Sequence, residues 1–400
     1  MNRGTIIRYA LLVFLVVILG AITGWYFFLR SQTGATQSVD TARGFSTGGS
    51  AAPFGNTGSG NAGAGSSTAG QSGTKPAQLW HIATAPAAGI GFATTTALVR
   101  LRFVDRATGY VFEANPEIAS TARLTNTLMP KTYEALFSED AVIERSVDET
   151  GAITTFAGTI HAGTSTSLTG TTLPKNIGAI SIDPKLGGVV YLARTGSGVS
   201  VVSAAWDGTK TKTLYASPLA DWRVWALQDG RTIIAQKAAD GLPGYAYVVK
   251  NNTLDALTPS LPGLTILPRS GSGAIIYGMS SGAGPVLFVQ LSASSSATRL
   301  PIATVADKCL WAPGAQPIAY CAVPQVKPTG GFLDAWYRGE IHTSDAWWKV
   351  DASTGQAQLI FTPASNEALD VIKPVMDPGG AYIAFINNVD LSPWLLRLNL

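Results

Sequence analysis

Charge is scarce in this sequence: Asp, Glu, Lys and Arg make up 13% of 400 residues, while hydrophobic residues reach 46%. Few charges beside 43 glycines and many Ser, Thr and aromatic residues exclude a helical enzyme and point to an all-β chain with many turns. Histidine occurs three times, at His81, His161 and His342, isolated and without metal-ligand spacing. The two cysteines, Cys309 and Cys321, form no CxxC pair, which argues against redox chemistry. No cofactor is expected. The formal charge of +3 is not a nucleic-acid signature either. Five of the 28 basic residues and one of the 25 acidic ones precede residue 78, so the remainder carries a net −1. A surface that releases counterions from a phosphate backbone needs a basic stripe, and none exists here.

What the chain does have falls into three segments. Residues 9–29, from Tyr9 to Leu29, contain no charge and would span roughly 30 Å as a helix, the thickness of a bilayer core. Arg3 and Arg8 precede the stretch, and Trp25 with Tyr26 would lie at the outer interface, so residues 1–8 are expected in the cytoplasm. The apolar run ends without a small-x-small cleavage site and without a following Cys, so a retained anchor fits better than a signal peptide or a lipoprotein. Residues 30–77 are rich in Gly, Ser, Thr and Ala and cannot bury enough apolar surface to offset ordering. They read as a disordered linker, with a coil span of about 35–40 Å. Residues 78–400 form the body, expected in an extracytoplasmic position.

Within that body one pattern recurs seven times, a turn rich in Asp, Pro or Gly followed by a short β-branched or aromatic strand. Measured from Gly109, Ala141, Val189, Thr232, Ala274, Pro317 and Ala381, the spacings are 32, 48, 43, 42, 43 and 64. A period near 43 suits four short strands, the blade of a β-propeller. The last blade runs out of chain after its third strand, and the strand from Leu79 to Thr84 has no blade of its own. The expected fold is therefore an all-β, seven-bladed β-propeller closed by its own N-terminal strand, preceded by one transmembrane helix and a disordered linker.

Met376-Asp-Pro-Gly-Gly-Ala-Tyr-Ile-Ala-Phe and Trp348-Lys-Val-Asp-Ala-Ser-Thr-Gly-Gln resemble TolB-type, WD40-like bacterial propeller repeats. The wider layout, with Arg102-Phe-Val-Asp-Arg-Ala-Thr-Gly-Tyr and Tyr133-Glu-Ala-Leu-Phe, resembles membrane-anchored propellers of candidate-phyla (Patescibacteria-type) bacteria. Such motifs specify turns and strands, and they carry fold rather than chemistry.

Candidate sites are few. Cys309 and Cys321 flank the turn at Ala312-Pro-Gly-Ala-Gln-Pro317, and in a hairpin centred on Ala315 they fall opposite each other, within disulfide reach. Gly278-Met-Ser280-Ser-Gly282 matches the GxSxG elbow, but a strand rather than a helix follows, so it reads as a loop within a blade. The irregular feature is the stretch between Pro324 and Ala346, about twenty residues inserted between two strands of one blade. Its Phe332, Trp336, Tyr337, Arg338 and His342, with Trp347 at its exit, form a candidate binding surface on one rim. The alternative is that these aromatics fold back and cap their own blade. Nothing else in the sequence converges on His342, Asp345 and Glu340 to suggest catalysis. The expected function is a non-enzymatic interaction module at the cell envelope, binding an envelope or surface protein or a polysaccharide. One alternative is an extracytoplasmic glycan-acting hydrolase or lyase with its site in the propeller channel. Another is an envelope assembly scaffold.

Overall fold

The computed structural model describes residues 77–94, 98–161, 167–185, 187–365 and 367–398. The anticipated membrane anchor and linker lie outside them, and no helix among the described residues is long and apolar enough to cross a membrane.

Seven four-stranded antiparallel sheets follow one another along the chain. Blades 1 to 6 span residues 87–123, 132–172, 180–217, 222–256, 265–299 and 309–361. Blade 7 takes three strands from residues 371–397, and Leu79–His81 adds the fourth. The closing strand pairs Leu79 with Leu396, Trp80 with Leu395 and His81 with Trp394. The imidazole of His81 stacks on Trp394 at 4.2 Å. The ring is a seven-bladed β-propeller. First strands of neighbouring blades approach closely around the axis, so that a Cβ on Gly89 of blade 1 would stand 2.0 Å from the carbonyl oxygen of Ala135 in blade 2.

The reason these sequences make blades lies in their second strands. Neighbouring β-branched residues there point to opposite sheet faces, and in a ring both faces are covered. Ile233 packs into the interface of blades 4 and 5, while Ile234 packs into that of blades 3 and 4. Ile275 and Ile276 divide in the same way between the interfaces on either side of blade 5. Each of the seven interfaces holds its own buried apolar cluster. Cations stitch the interfaces by reaching to backbone carbonyls of the next blade. Arg145 donates to Ile177 and Gly178 (2.5 and 2.8 Å), Arg269 to Gly314 and Gln316 (2.7 and 2.8 Å), and Arg397 to Pro116 (2.6 Å). Part of the small charge content is thus internal.

The structure corrects the repeat at its first copy. The anchor at Gly109 precedes Val111–Asn115, which is the third strand of blade 1, whereas the other anchors mark second strands. The equivalent second strand is Val99–Asp105, and from Val99 to Ala141 the spacing is 42, inside the common period. Asp-rich turns connect more than one kind of strand pair here, which is why the turn alone misplaced this copy. The GxSxG match lies in the hairpin from Ile275–Ser281 to Gly284–Gln290, with no helix behind it.

Cys309 and Cys321 are cross-strand partners in blade 6 and are joined by a disulfide with Cα atoms 4.0 Å apart. The bridge sits buried in the apolar interface of blades 5 and 6. It closes a 12-residue separation. Limiting the unfolded chain over such a loop is worth about 3 kcal/mol. The Cys309→Ala, Cys321→Ala variant is expected to lose 2–3 kcal/mol in urea denaturation, by that loop entropy. Reductant should lower the wild type towards it and leave the variant unmoved.

Candidate functional site

Inner strands of a blade begin on the face of the ring where second strands end and third strands start, here termed the upper face. The insertion leaves blade 6 on that face, between Ile318–Pro324 and Asp345–Asp351. It contains the α-helix found among the described residues, α1 (Phe332–Tyr337). Gly331 enters α1 at φ 80°, and Gly339 leaves it at φ 69°, conformations that L-side chains avoid. One turn and a half of helix has little stability of its own, so its position depends on what it touches.

The insertion touches blades 4, 5 and 7 besides its own. Phe332, Leu333 and Trp336 pack with Val305, against Ala238 of blade 4 and Ile372 of blade 7. Asp334 and Asp240 exchange backbone-to-carboxylate hydrogen bonds, each 2.9 Å. The phenol of Tyr337 donates to Asp307 (2.9 Å), which also holds Arg223 of blade 4 at 2.6 Å. Burial pushes the Tyr337 phenol well above its ordinary range, and the Asp307 carboxylate adds to this against the opposing pull of Arg223. Along the entry arm, the turn at Gly284 of blade 5 lies so close that a Cβ there would stand 2.1 Å from the Pro328 carbonyl oxygen. The insertion is therefore a plug over one mouth of the axial channel, with Trp336 and Tyr337 in the wall of the cavity below.

Under α1 lies a fully buried ionic cluster. Lys308, in the short turn Ala306–Lys308 ahead of blade 6, spends all three protons: on Thr343 (2.9 Å), on Asp345 (2.6 Å) and on Asp370. Asp370 also accepts from the Trp336 indole (2.9 Å), the Thr343 hydroxyl (2.8 Å) and the Asn388 amide (3.0 Å). The Trp336 ring covers the ammonium at 4.7 Å. The Asp345 and Asp370 side chains are wholly buried. Burial pushes both carboxyls up. At Asp345 it prevails over Lys308, whereas at Asp370 Lys308 and the many donors win and hold the group below its ordinary value. On the outer edge His342 meets Asp370 through Nδ1 at 3.1 Å and stays 39% exposed.

That imidazole faces a pocket of about 520 Å3 between the two arms of the insertion. Val326, Pro328, Phe332 and Ile341 give it apolar walls, and Lys327, Thr329, His342 and Ser344 give it polar groups. The candidate surface predicted from sequence thus separates into two sets. Phe332 and Trp336 are buried beneath α1, and Trp347 lies in the core of blades 6 and 7 against Phe385, at 5.6 Å between ring centroids. Trp336 and Trp347 are packing residues, and Phe332 both packs beneath α1 and lines the pocket, because the insertion folds onto the ring to cover the channel rather than standing on a rim. Arg338 and His342 remain exposed, although Arg338 is occupied by Glu340, and Tyr337 opens onto the cavity below α1, whose protein walls surround its phenol. His342 and Asp345 do share a cluster, joined through Asp370 and Lys308. Those two connecting residues were missed from sequence. Their only signal was a charged residue immediately ahead of a short strand.

Neither a family model nor a curated relative matches the sequence. Among solved structures the chain is similar to an oligogalacturonate lyase of Vibrio parahaemolyticus, with TM-score 0.55, 8% identity, and coverage of 80% of this chain and 93% of that one. It is also similar to the WD40 domain of Neurospora crassa Pan2, with TM-score 0.51, 12% identity, and coverage of 79% and 90%. Both likenesses are of fold alone. They belong with a generic propeller module and leave the chemistry to be argued from the insertion.

Proposed function

We propose that this chain is a membrane-tethered interaction module of the cell envelope, and that the pocket in its insertion is where a partner binds. The observation that carries this reading is the anchoring of the insertion. A loop without a function could be loose. This one is held to blades 4 and 7 and to its own blade by an apolar cluster, two carboxylate latches and a buried Lys–Asp cluster, and it keeps a pocket of about 520 Å3 between its arms. A pocket of mainly apolar walls with a few fixed polar groups is the usual form of a recognition site. The partner class is an envelope or surface protein or a polysaccharide segment, presented outside the membrane if residues 9–29 anchor the chain.

Deleting the insertion would remove Trp336 and Thr343 from the buried cluster, so point changes in the pocket are the better test. Thr329→Trp fills the pocket and Lys327→Glu inverts its charge. Each is expected to weaken binding of the full chain, in nanodiscs, to solubilised envelope proteins or envelope polysaccharide by at least tenfold, with an unchanged thermal melt. Equal binding by both variants would remove the pocket from the proposal.

A second reading, a glycan-acting hydrolase or lyase, is favoured by one contact. Asp370 meets Nδ1 of His342 at 3.1 Å, and the same imidazole lines the pocket, the arrangement of a positioned general base. His342→Gln separates the two readings. It abolishes turnover of envelope glycan under the second, whereas under the first the wild type has no such turnover to lose.

A further inference from the structure

The hairpin between the second and third strands of blade 5, Ile275–Ser281 and Gly284–Gln290, leans on the entry arm of the insertion. A Cβ on Gly330 would stand 3.0 Å from the Gly282 carbonyl oxygen, beside the contact between Gly284 and Pro328. The arm is thereby held as a ridge. A second pocket, of about 490 Å3, opens beside it, with Pro285, Val286, Leu300 and Pro301 in its walls and Arg299 and Lys327 as its charges. Lys327 stands in the wall of both pockets, so the two adjoin along the arm.

Neither wall contains an Asp or a Glu. The side chains of Arg299 and Lys327 are exposed, and neither makes an ion pair or a hydrogen bond among the described residues. Other cations of the ring are spent, Arg145, Arg269 and Arg397 on the next blade and Lys308 on two carboxylates. His342, in the first pocket, meets Asp370, which is wholly buried and held by Lys308. From residue 78 onward the chain is close to neutral, so this pair of cations is local and not a share of a basic surface. An anion laid along the arm would meet both without displacing a resident carboxylate.

We propose that the occupant of this double pocket is an acidic, apolar polypeptide segment, lying extended across the entry arm with apolar side chains in both pockets and carboxylates on Lys327 and Arg299. This assignment rests on the insertion pocket being the binding site, and it narrows the partner there to a protein. The walls decide against an acidic polysaccharide. Sugar hydroxyls leaving water must be hydrogen-bonded, and aliphatic and proline side chains supply no partners for them. The one Phe, Tyr or Trp in either wall, Phe332, is 6% exposed and offers no open face for a sugar ring. An extended polypeptide turns alternate side chains to one side, and its apolar groups gain by burial against such walls.

The probe is a dansyl-labelled peptide of three leucine–glutamate–proline repeats, whose prolines keep it extended and unaggregated. It is titrated by fluorescence anisotropy with the full chain in zwitterionic nanodiscs at low salt, where exposed charges are least screened. Saturable binding is expected, with the glutamine counterpart of the peptide at least tenfold weaker. Arg299→Gln and Lys327→Gln should each weaken the glutamate peptide at least threefold with an unchanged thermal melt, while Lys349→Gln, in neither wall, keeps it. Alginate carries carboxylates on a sugar backbone and should not displace the peptide at equal carboxylate concentration. Displacement by alginate, equal binding of the two peptides, or no saturable binding would overturn the proposal. Thr329→Trp separates its failure from that of the pocket. Loss of binding there with Arg299→Gln unchanged would strike the acidic segment and keep the pocket, whereas unchanged binding in both would strike both.

Discussion

Lys308→Met is expected to destroy most of the stability of the ring. The substitution keeps the length of the side chain and removes only its charge and donors. Asp345 and Asp370 would then face one another, wholly buried, without the ammonium that now lies between them. Breaking a buried pair by removing one partner costs about 3–5 kcal/mol, and here two carboxylates are left behind. Against a typical total of roughly 5–15 kcal/mol, the variant should express poorly or melt far below the wild type. The sign of its pH response is a second readout. In the wild type Asp370 is held below its ordinary 3.8, so its contribution is present above that value and lost as pH falls through the lowered one. In the variant both carboxyls would be raised by burial, so stability would be greatest in acid and fall as pH rises. Adding Asp345→Asn and Asp370→Asn to Lys308→Met removes the stranded charges and should recover much of the loss. A fall of less than about 1 kcal/mol for Lys308→Met in urea at pH 7 would mean that the cluster is not ionised.

The ring was legible in the sequence because its determinants are local. Paired β-branched residues such as Ile233-Ile234, a turn before each, and a period near 43 are written within one blade. Closure was legible for the same reason, since a last blade lacking one strand and a first strand lacking a blade have one economical solution. The site was not legible. Lys308, Asp345 and Asp370 are separated by 37 and 62 residues from lysine to carboxylate, and the register of two blades, not any motif, brings them together. The insertion misled in a related way. Aromatic residues on a long loop look alike whether they face a partner or their own ring, and only the third dimension shows that Trp336 and Phe332 cover the channel. Trp347 was assigned to that loop by proximity, although period-2 alternation along Asp345–Asp351 puts it in the interface with blade 7.

Glu144→Gln is expected to stabilise the protein at neutral pH. Glu144 lies on the second strand of blade 2, Ala141–Val147, where alternate residues serve the two flanking interfaces. It falls on the same side as Val142, against blade 1. In the other blades such seats hold residues like Tyr191 or Ile234. Glu144 is 2% exposed, and neither carboxylate oxygen has a hydrogen-bond partner. The buried cation on the facing side, Arg102, is committed to Asp140 and to the Glu139 carbonyl, while Arg145 points to blade 3. Burial therefore pushes the Glu144 carboxyl up to about 8, from the ordinary 4.5. Between those values the folded state holds a proton that the unfolded chain has released. Stability is thus fully present below 4.5 and drains away as pH rises towards 8. At about 1.4 kcal/mol per pH unit, roughly 3 kcal/mol is missing by pH 7. Glutamine has the same shape and does not titrate, so the variant should gain on the order of 2–3 kcal/mol at pH 7 and little at pH 4.5. Urea denaturation of both proteins at pH 4.5, 7 and 8.5 tests this directly. Parallel curves, with one constant offset at all three, would show that Glu144 is solvated or paired and that its seat between blades 1 and 2 is not the apolar one described. A diverging pair would identify blade 2 as the place where this ring loses stability as pH rises.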